Sequence, residues 1–324
     1  MKPLHPLLLA AALRESDIEA YAAWKQWRDQ VDIQNLSWSE IQFLPVLNGS
    51  RLNAWLASDE AAGLLKGIVR RAWTEAQVRV ALARKIATQL DHAACGPVVI
   101  LGSAGLHLRS SSRTSVDAIR PVSLVELMIS RGALERSLFA LQAHGWQLYG
   151  EVPSGEGLDW CTHIPLHRNG AHLHLCWRAI DLPADLTDAC EEEFLAAFQP
   201  GADGGSYGVL QATYAFLTAI TRSAPNEVDP LPWQMDCALL LQEEIDWIVW
   251  SRIAAAYSRP AFERLSELYS LGLAVPLLSP PRPTGPTLWQ CVIIIHHAVR
   301  SACHRWLQRA RYRARRLLLV EVKR

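Results

Sequence analysis

The chain has 324 residues, half of them apolar and a fifth charged, with Lys plus Arg equal to Asp plus Glu at 32 each. That balance excludes a uniformly basic nucleic-acid coat and an acidic solvating chain, and the apolar share is ample for a sizeable core. The seven cysteines (Cys95, Cys161, Cys176, Cys190, Cys237, Cys291 and Cys303) are odd in number, scattered and free of any CxxC pair, which argues against a disulfide scaffold or zinc ribbon and for a cytoplasmic protein.

The start, Met1 to Leu13, runs into Arg14-Glu15-Ser16-Asp17 without a convincing cleavage site, so it reads as an amphipathic first helix rather than a signal segment. No apolar run approaches the ~20 residues that a membrane-spanning helix needs. Residues 1–92 are expected to form a helical region. Asp17–Val31 and Ala72–Leu90 carry apolar positions at three- and four-residue spacing, with Asn35–Ser37 and Asn48–Ser50 as capping or turn punctuation. Gly96-Pro97 ends that pattern, and Val98–Leu101 reads as a buried strand ending in Gly102-Ser103.

Residues 93–180 are expected to be an α/β centre. After the polar stretch Arg109–Thr114 come a strand over Pro121–Ile129, a helix over Gly132–His144 closed by Gly145, and a strand over Trp146–Val152. Asn169-Gly170 marks a hairpin across Thr162–Trp177. A two-residue turn there pairs Arg168 with Ala171, His167 with His172, Pro165 with His174 and His163 with Cys176. Alternation then puts His163, His167, His172, His174 and Cys176 on one face, and Ile164, Leu166, Leu173, Leu175 and Trp177 on the core face. The polar face reads either as a half-exposed surface or as donors for a softer ion such as Zn²⁺ or Mn²⁺.

From residue 181 to 278 the chain is expected to be helical again, through Gln211–Thr221, Pro232–Ala256 and Pro260–Leu271. The proline-rich stretch 279–287 reads as a linker, and 288–324 as a basic helix. Between Arg300 and Arg324 there are nine Lys or Arg and a single acid, Glu321. Such a tail suits an acidic partner, nucleic acid or an anionic membrane surface, or is simply a solvated end.

Strand, Gly-Ser, helix and then a strand with acidic residues is the layout of polymerase-beta-type nucleotidyltransferases. The chain more particularly resembles a bacterial uncharacterised nucleotidyltransferase family. The resemblance rests on Leu101-Gly102-Ser103, Arg120-Pro121-Val122-Ser123-Leu124-Val125-Glu126-Leu127-Met128-Ile129 and Leu141–Trp146. It continues through His174-Leu175-Cys176-Trp177-Arg178, Trp233-Gln234-Met235-Asp236 and Ile245-Asp246-Trp247, spanning roughly residues 10 to 276.

The resemblance implies an α+β fold, a small mixed sheet flanked by helical N- and C-terminal regions. It also implies transfer of a nucleoside monophosphate from an NTP to an unidentified acceptor, with a divalent metal, Mg²⁺ or Mn²⁺, as cofactor. Glu126 and His174 would be catalytic, and Gly102, Ser103 and Arg120 would hold the nucleotide. Glu126, His174, His172 and His163 are the candidate metal ligands. The departures are Leu124 for the first carboxylate, His174 for the third, Cys176 for a histidine and Gly102 for a lysine. One glutamate and an imidazole are poor provision for Mg²⁺, which wants oxygen ligands. A second reading is therefore a catalytically inactive protein that binds a nucleotide or a partner, and a third is a transition-metal site on the His/Cys hairpin.

Further candidates divide between chemistry and structure. Arg109 and Arg113, with the serines between them, read as a phosphate-binding or a solvated loop. Arg120 reads as a phosphate contact or as a partner of Asp117 or Glu126. Asp236 and Asp246 read as capping or hydrogen-bonding residues of the helical half.

Overall fold

The computed structural model describes residues 5–14, 16–47, 54–56, 59–109, 120–150, 161–180, 187–201, 204–221, 232–258 and 260–278, with 152 and 158 besides. The expected linker 279–287, the basic segment 288–324 and Arg113 lie outside the described residues. The fold is mixed α and β, with helical regions flanking a seven-stranded sheet as the sequence predicts. Among the described residues no helix is long and apolar enough to cross a membrane.

The N-terminal helices are α1 (His5–Leu13), α2 (Asp17–Arg28), α3 (Trp38–Phe43) and α4 (Ala62–His92). Ser16 caps α2, and Ser37 with Glu40 forms a reciprocal capping box on α3, satisfying amides that a helix start leaves open. Leu8, Trp24, Trp27, Phe43 and Leu44 form their core together with Leu65 and Val69 of α4. Helix α4 is 31 residues long, well beyond the predicted Ala72–Leu90. Its later residues, Ala76 to Leu90, belong to a different core, the one beneath the sheet.

The strands are β1 (Val99–Leu101), β2 (Val125–Met128), β3 (Gln147–Leu148), β4 (His163–Arg168), β5 (Ala171–Cys176), β6 (Phe198–Pro200) and β7 (Gly208–Leu210). They lie in the order β3-β4-β5-β2-β1-β7-β6. Strand β1 runs antiparallel to β2 and parallel to β7, and β2 runs parallel to β5. Helix α5 (Gly102–Leu108) joins β1 towards β2, and α6 (Leu134–Ala143) follows β2. Strands β6 and β7 come from the segment that the sequence pattern reads as helical, so the sheet takes two strands from beyond residue 180.

The remaining helices are α7 (Thr187–Ala196), α8 (Ala212–Thr221), α9 (Trp233–Leu240), α10 (Trp247–Tyr257) and α11 (Pro260–Ser270). The expected single helix Pro232–Ala256 is thus two, because Asp246 starts a new one. Its Oδ1 accepts the amides of Ile248 at 3.0 Å and Val249 at 2.9 Å.

The sheet divides two cores, as strand alternation requires. Ile100, Val125, Leu127, Ile164, Leu166, Leu173, Leu175 and Trp177 face α4 and α6. Val99, Leu101, Met128, Cys176 and Leu210 face α8 to α11. Helix α5 approaches β1 closely at Gly105, where a Cβ would lie 2.5 Å from the carbonyl oxygen of Ile100.

Candidate functional site

The hairpin has the predicted register at all of its rungs: His163 with Cys176, Pro165 with His174, His167 with His172 and Arg168 with Ala171. Asn169 and Gly170 both take positive φ, which a two-residue turn of this hand demands. Ile164, Leu166, Leu173, Leu175 and Trp177 are buried as expected, and the four histidines of the other face are half-buried.

The neighbouring strands bring the resemblance-derived positions together. Glu126 on β2 is the register partner of Leu101 on β1 and of His174 on β5. One row across three strands therefore carries the residue before Gly102-Ser103, the retained carboxylate and the substituted histidine. Gly102 has φ +59°, a left-handed conformation in which a side chain is strained. Ser103 is buried, as is Leu124.

His163 stacks on His174, with ring centroids 4.1 Å apart and planes 15° from parallel. The hydroxyl of Thr162 lies 3.0 Å from Nδ1 of His163. His172 and His167 instead flank Tyr149, at centroid distances of 5.8 and 4.3 Å. Tyr149 is the residue that sequence reasoning passed over on this face. Its place follows from alternation along the short strand β3, whose next amide, that of Tyr149, donates to Pro165 O at 3.0 Å.

Divalent metal is a poor fit to these residues. Stacked imidazoles keep their in-plane lone pairs in two nearly parallel planes, with centroids 4.1 Å apart, rather than aimed at one point. Leu101 and Leu124 offer no oxygen, and His172 is engaged with Tyr149 instead of His174. Among the described residues no three or more His, Cys, Asp or Glu side chains are arranged to hold a metal ion.

The two described arginines considered for phosphate are each held by a carboxylate. Arg120 is buried, donating from Nε to Asp236 Oδ1 at 2.5 Å, from Nη2 to Oδ2 at 3.4 Å and from Nη1 to the carbonyl of Pro121 at 3.0 Å. This pairing joins the segment leading into β2 to α9 across 116 residues of sequence. Asp236, expected to cap or hydrogen-bond within the helical half, also binds Arg120 from the segment that leads into β2. His107 Nε2 lies 2.6 Å from the carbonyl oxygen of Arg120, fixing α5 to the same spot.

Arg109 is neither a solvated-loop residue nor free for phosphate. Its side chain is 3% exposed, and it grips Glu243 through Nε at 3.1 Å and Nη2 at 2.6 Å. Its Nη1 is buried without an acceptor beside a cavity of about 30 Å³ that Gly102, Gly105 and Asp236 also line. That space suits a water molecule.

Compared with known proteins, the chain matches no family profile and no curated sequence.

Proposed function

We propose that the chain is a nucleotidyltransferase-like protein that binds a nucleotide without metal-dependent transfer of its nucleotidyl group. The observation that carries this reading is the row Leu101–Glu126–His174, which sets the Gly102-Ser103 turn, a carboxylate and an imidazole side by side. Gly102 and Ser103 lie against the phosphates, while His174, backed by His163, donates to them from the half-exposed face. The reading against turnover draws on Leu124, on the absence of a three-donor metal group among the described residues, and on Arg109 and Arg120 being taken up by Glu243 and Asp236. None of the five described cysteines is in a disulfide, which suits a reducing, cytoplasmic setting.

The test is isothermal titration with ATP, GTP, CTP and UTP, each in Mg²⁺, in Mn²⁺ and in excess EDTA, beside an assay for pyrophosphate release. The expected result is binding of at least one nucleotide that persists in EDTA, weakens in His174→Ala and yields no pyrophosphate. Metal-dependent pyrophosphate release that disappears in Glu126→Gln would overturn the inactive reading in favour of an enzyme. Absence of binding by all four nucleotides would remove the nucleotide from the proposal.

A further inference from the structure

On the other side of the sheet, between α4 and the turn of the β4–β5 hairpin, lies a cavity of about 240 Å³. Its lining includes two cations, Lys85 and Arg168, and the ring of Trp146. Trp146 is only 2% exposed, and its indole N–H is buried with no acceptor. Among the described residues the side chains of Lys85 and Arg168 make no hydrogen bond or ion pair, and no acidic side chain lines the cavity. Arg168 Nε lies 3.8 Å from the position a Cβ would take on Gly145, so the guanidinium sits next to the Trp146 backbone.

The rest of the lining sets the ligand's other half. Leu82, Ile86 and Ala171 give it apolar walls, and Gln89 and Asn169 add amides that can donate or accept. Two cations without a carboxylate partner and apolar walls describe complementarity to an anionic head on an apolar body. We infer that this cavity is a binding site for a small organic anion, a ring-sized molecule bearing a phosphate or carboxylate. The anion would accept from Lys85 and Arg168, while its body lies along Leu82, Ile86 and the Trp146 ring. The site stands apart from Glu126 and His174, which project from the opposite face, so it is independent of the nucleotide reading.

The experiment follows the indole N–H resonances of the ¹⁵N-labelled full chain during titration with phenyl phosphate, benzoate, inorganic phosphate and benzyl alcohol. Trp146→Phe identifies the Trp146 signal. Lys85 is exposed and Arg168 half-buried, so Lys85→Gln and Arg168→Gln keep the test valid even if Trp146→Phe does not fold. The expected result is a saturable shift of the Trp146 signal by phenyl phosphate or benzoate. Affinity should fall about 10-fold in each Gln variant, the ratio for loss of one charge-assisted hydrogen bond. An unmoved Trp146 signal, an equal response to benzyl alcohol, or unchanged affinity in both variants would overturn the proposal. Inorganic phosphate binding as tightly as phenyl phosphate would overturn its apolar half.

Discussion

Replacing Asp236 by Ala should be among the most damaging single changes away from the apolar core. The carboxylate and the Arg120 guanidinium are each 3% exposed, and the closest contact between them is 2.5 Å. Two unit charges about 4 Å apart at an effective dielectric near 20 attract by ~4 kcal/mol. Removing one partner also strands the other charge in a place with little water, and the usual total for such a break is ~3–5 kcal/mol. The exposed pair Arg71–Glu75, i to i+4 on α4 with Arg71 81% exposed, provides a control worth only ~0.3–0.5 kcal/mol. Urea unfolding followed by tryptophan fluorescence and far-UV circular dichroism supplies the measurement, valid where the two transitions coincide. Asp236→Ala should lose ~3–5 kcal/mol, whereas Arg120→Met with Asp236→Leu should regain most of it, because no charge is then left buried. A loss below about 1 kcal/mol for Asp236→Ala, or a double variant no better than the worse single one, would refute the reasoning.

Three other outcomes follow from particular contacts. Gly105→Ala places a methyl carbon 2.5 Å from a backbone oxygen that cannot swing away, so it should cost ~1–3 kcal/mol, as overpacking does, in the same urea assay. Asp59 is held below the usual carboxylate range chiefly by hydrogen bonds from Arg28, with burial opposing and the Ala61 amide assisting. Its contribution is therefore fully present above the unfolded value near 3.9 and is lost as pH falls through the lower folded one; Asp59→Asn should be less stable than the parent at neutral pH, the two unfolding curves converging in acid. Burial, with the charge of Glu193 adding to it, pushes the Cys190 thiol up to about 12, whereas Cys161 is partly exposed. Peptide mapping after iodoacetamide treatment at pH 8 should find Cys161 modified and Cys190 intact until denaturant is added.

The hairpin was legible because one dipeptide and strict alternation decide it. Asn169-Gly170 fixes the turn length, the turn length fixes the pairing, and the pairing fixes which side each histidine takes. Strands β6 and β7 carry no comparable signal. Each is three residues long, and Phe198-Gln199-Pro200 contains a proline that a central strand would reject; it is accommodated at the sheet edge. Their pairing depends on β1, about a hundred residues earlier, which no local window contains. The same distance hid the partners of Arg109 and Arg120, since a buried cation announces only that it needs a carboxylate and not which one. Asp246 was legible as a capping residue, yet the break it causes in the helical pattern was not, because the apolar spacing runs on through it. At the candidate site, the resemblance named Glu126 and His174 singly, and nothing named Tyr149, whose position beside two histidines depends on how β3 meets β4.

Helix α4 serves two masters without a joint. Leu65 and Val69 are held in the N-terminal core and Ala76 to Leu90 under the sheet, on one unbroken run of 31 residues, a rod of about 45 Å at the usual rise. For the helical cap to swing away from the sheet, either one of these cores must open or the rod must snap near Ala72. The amides along its midsection should accordingly exchange with solvent as slowly as those buried at its far end, making the cap and the sheet yield together as a single mechanical body.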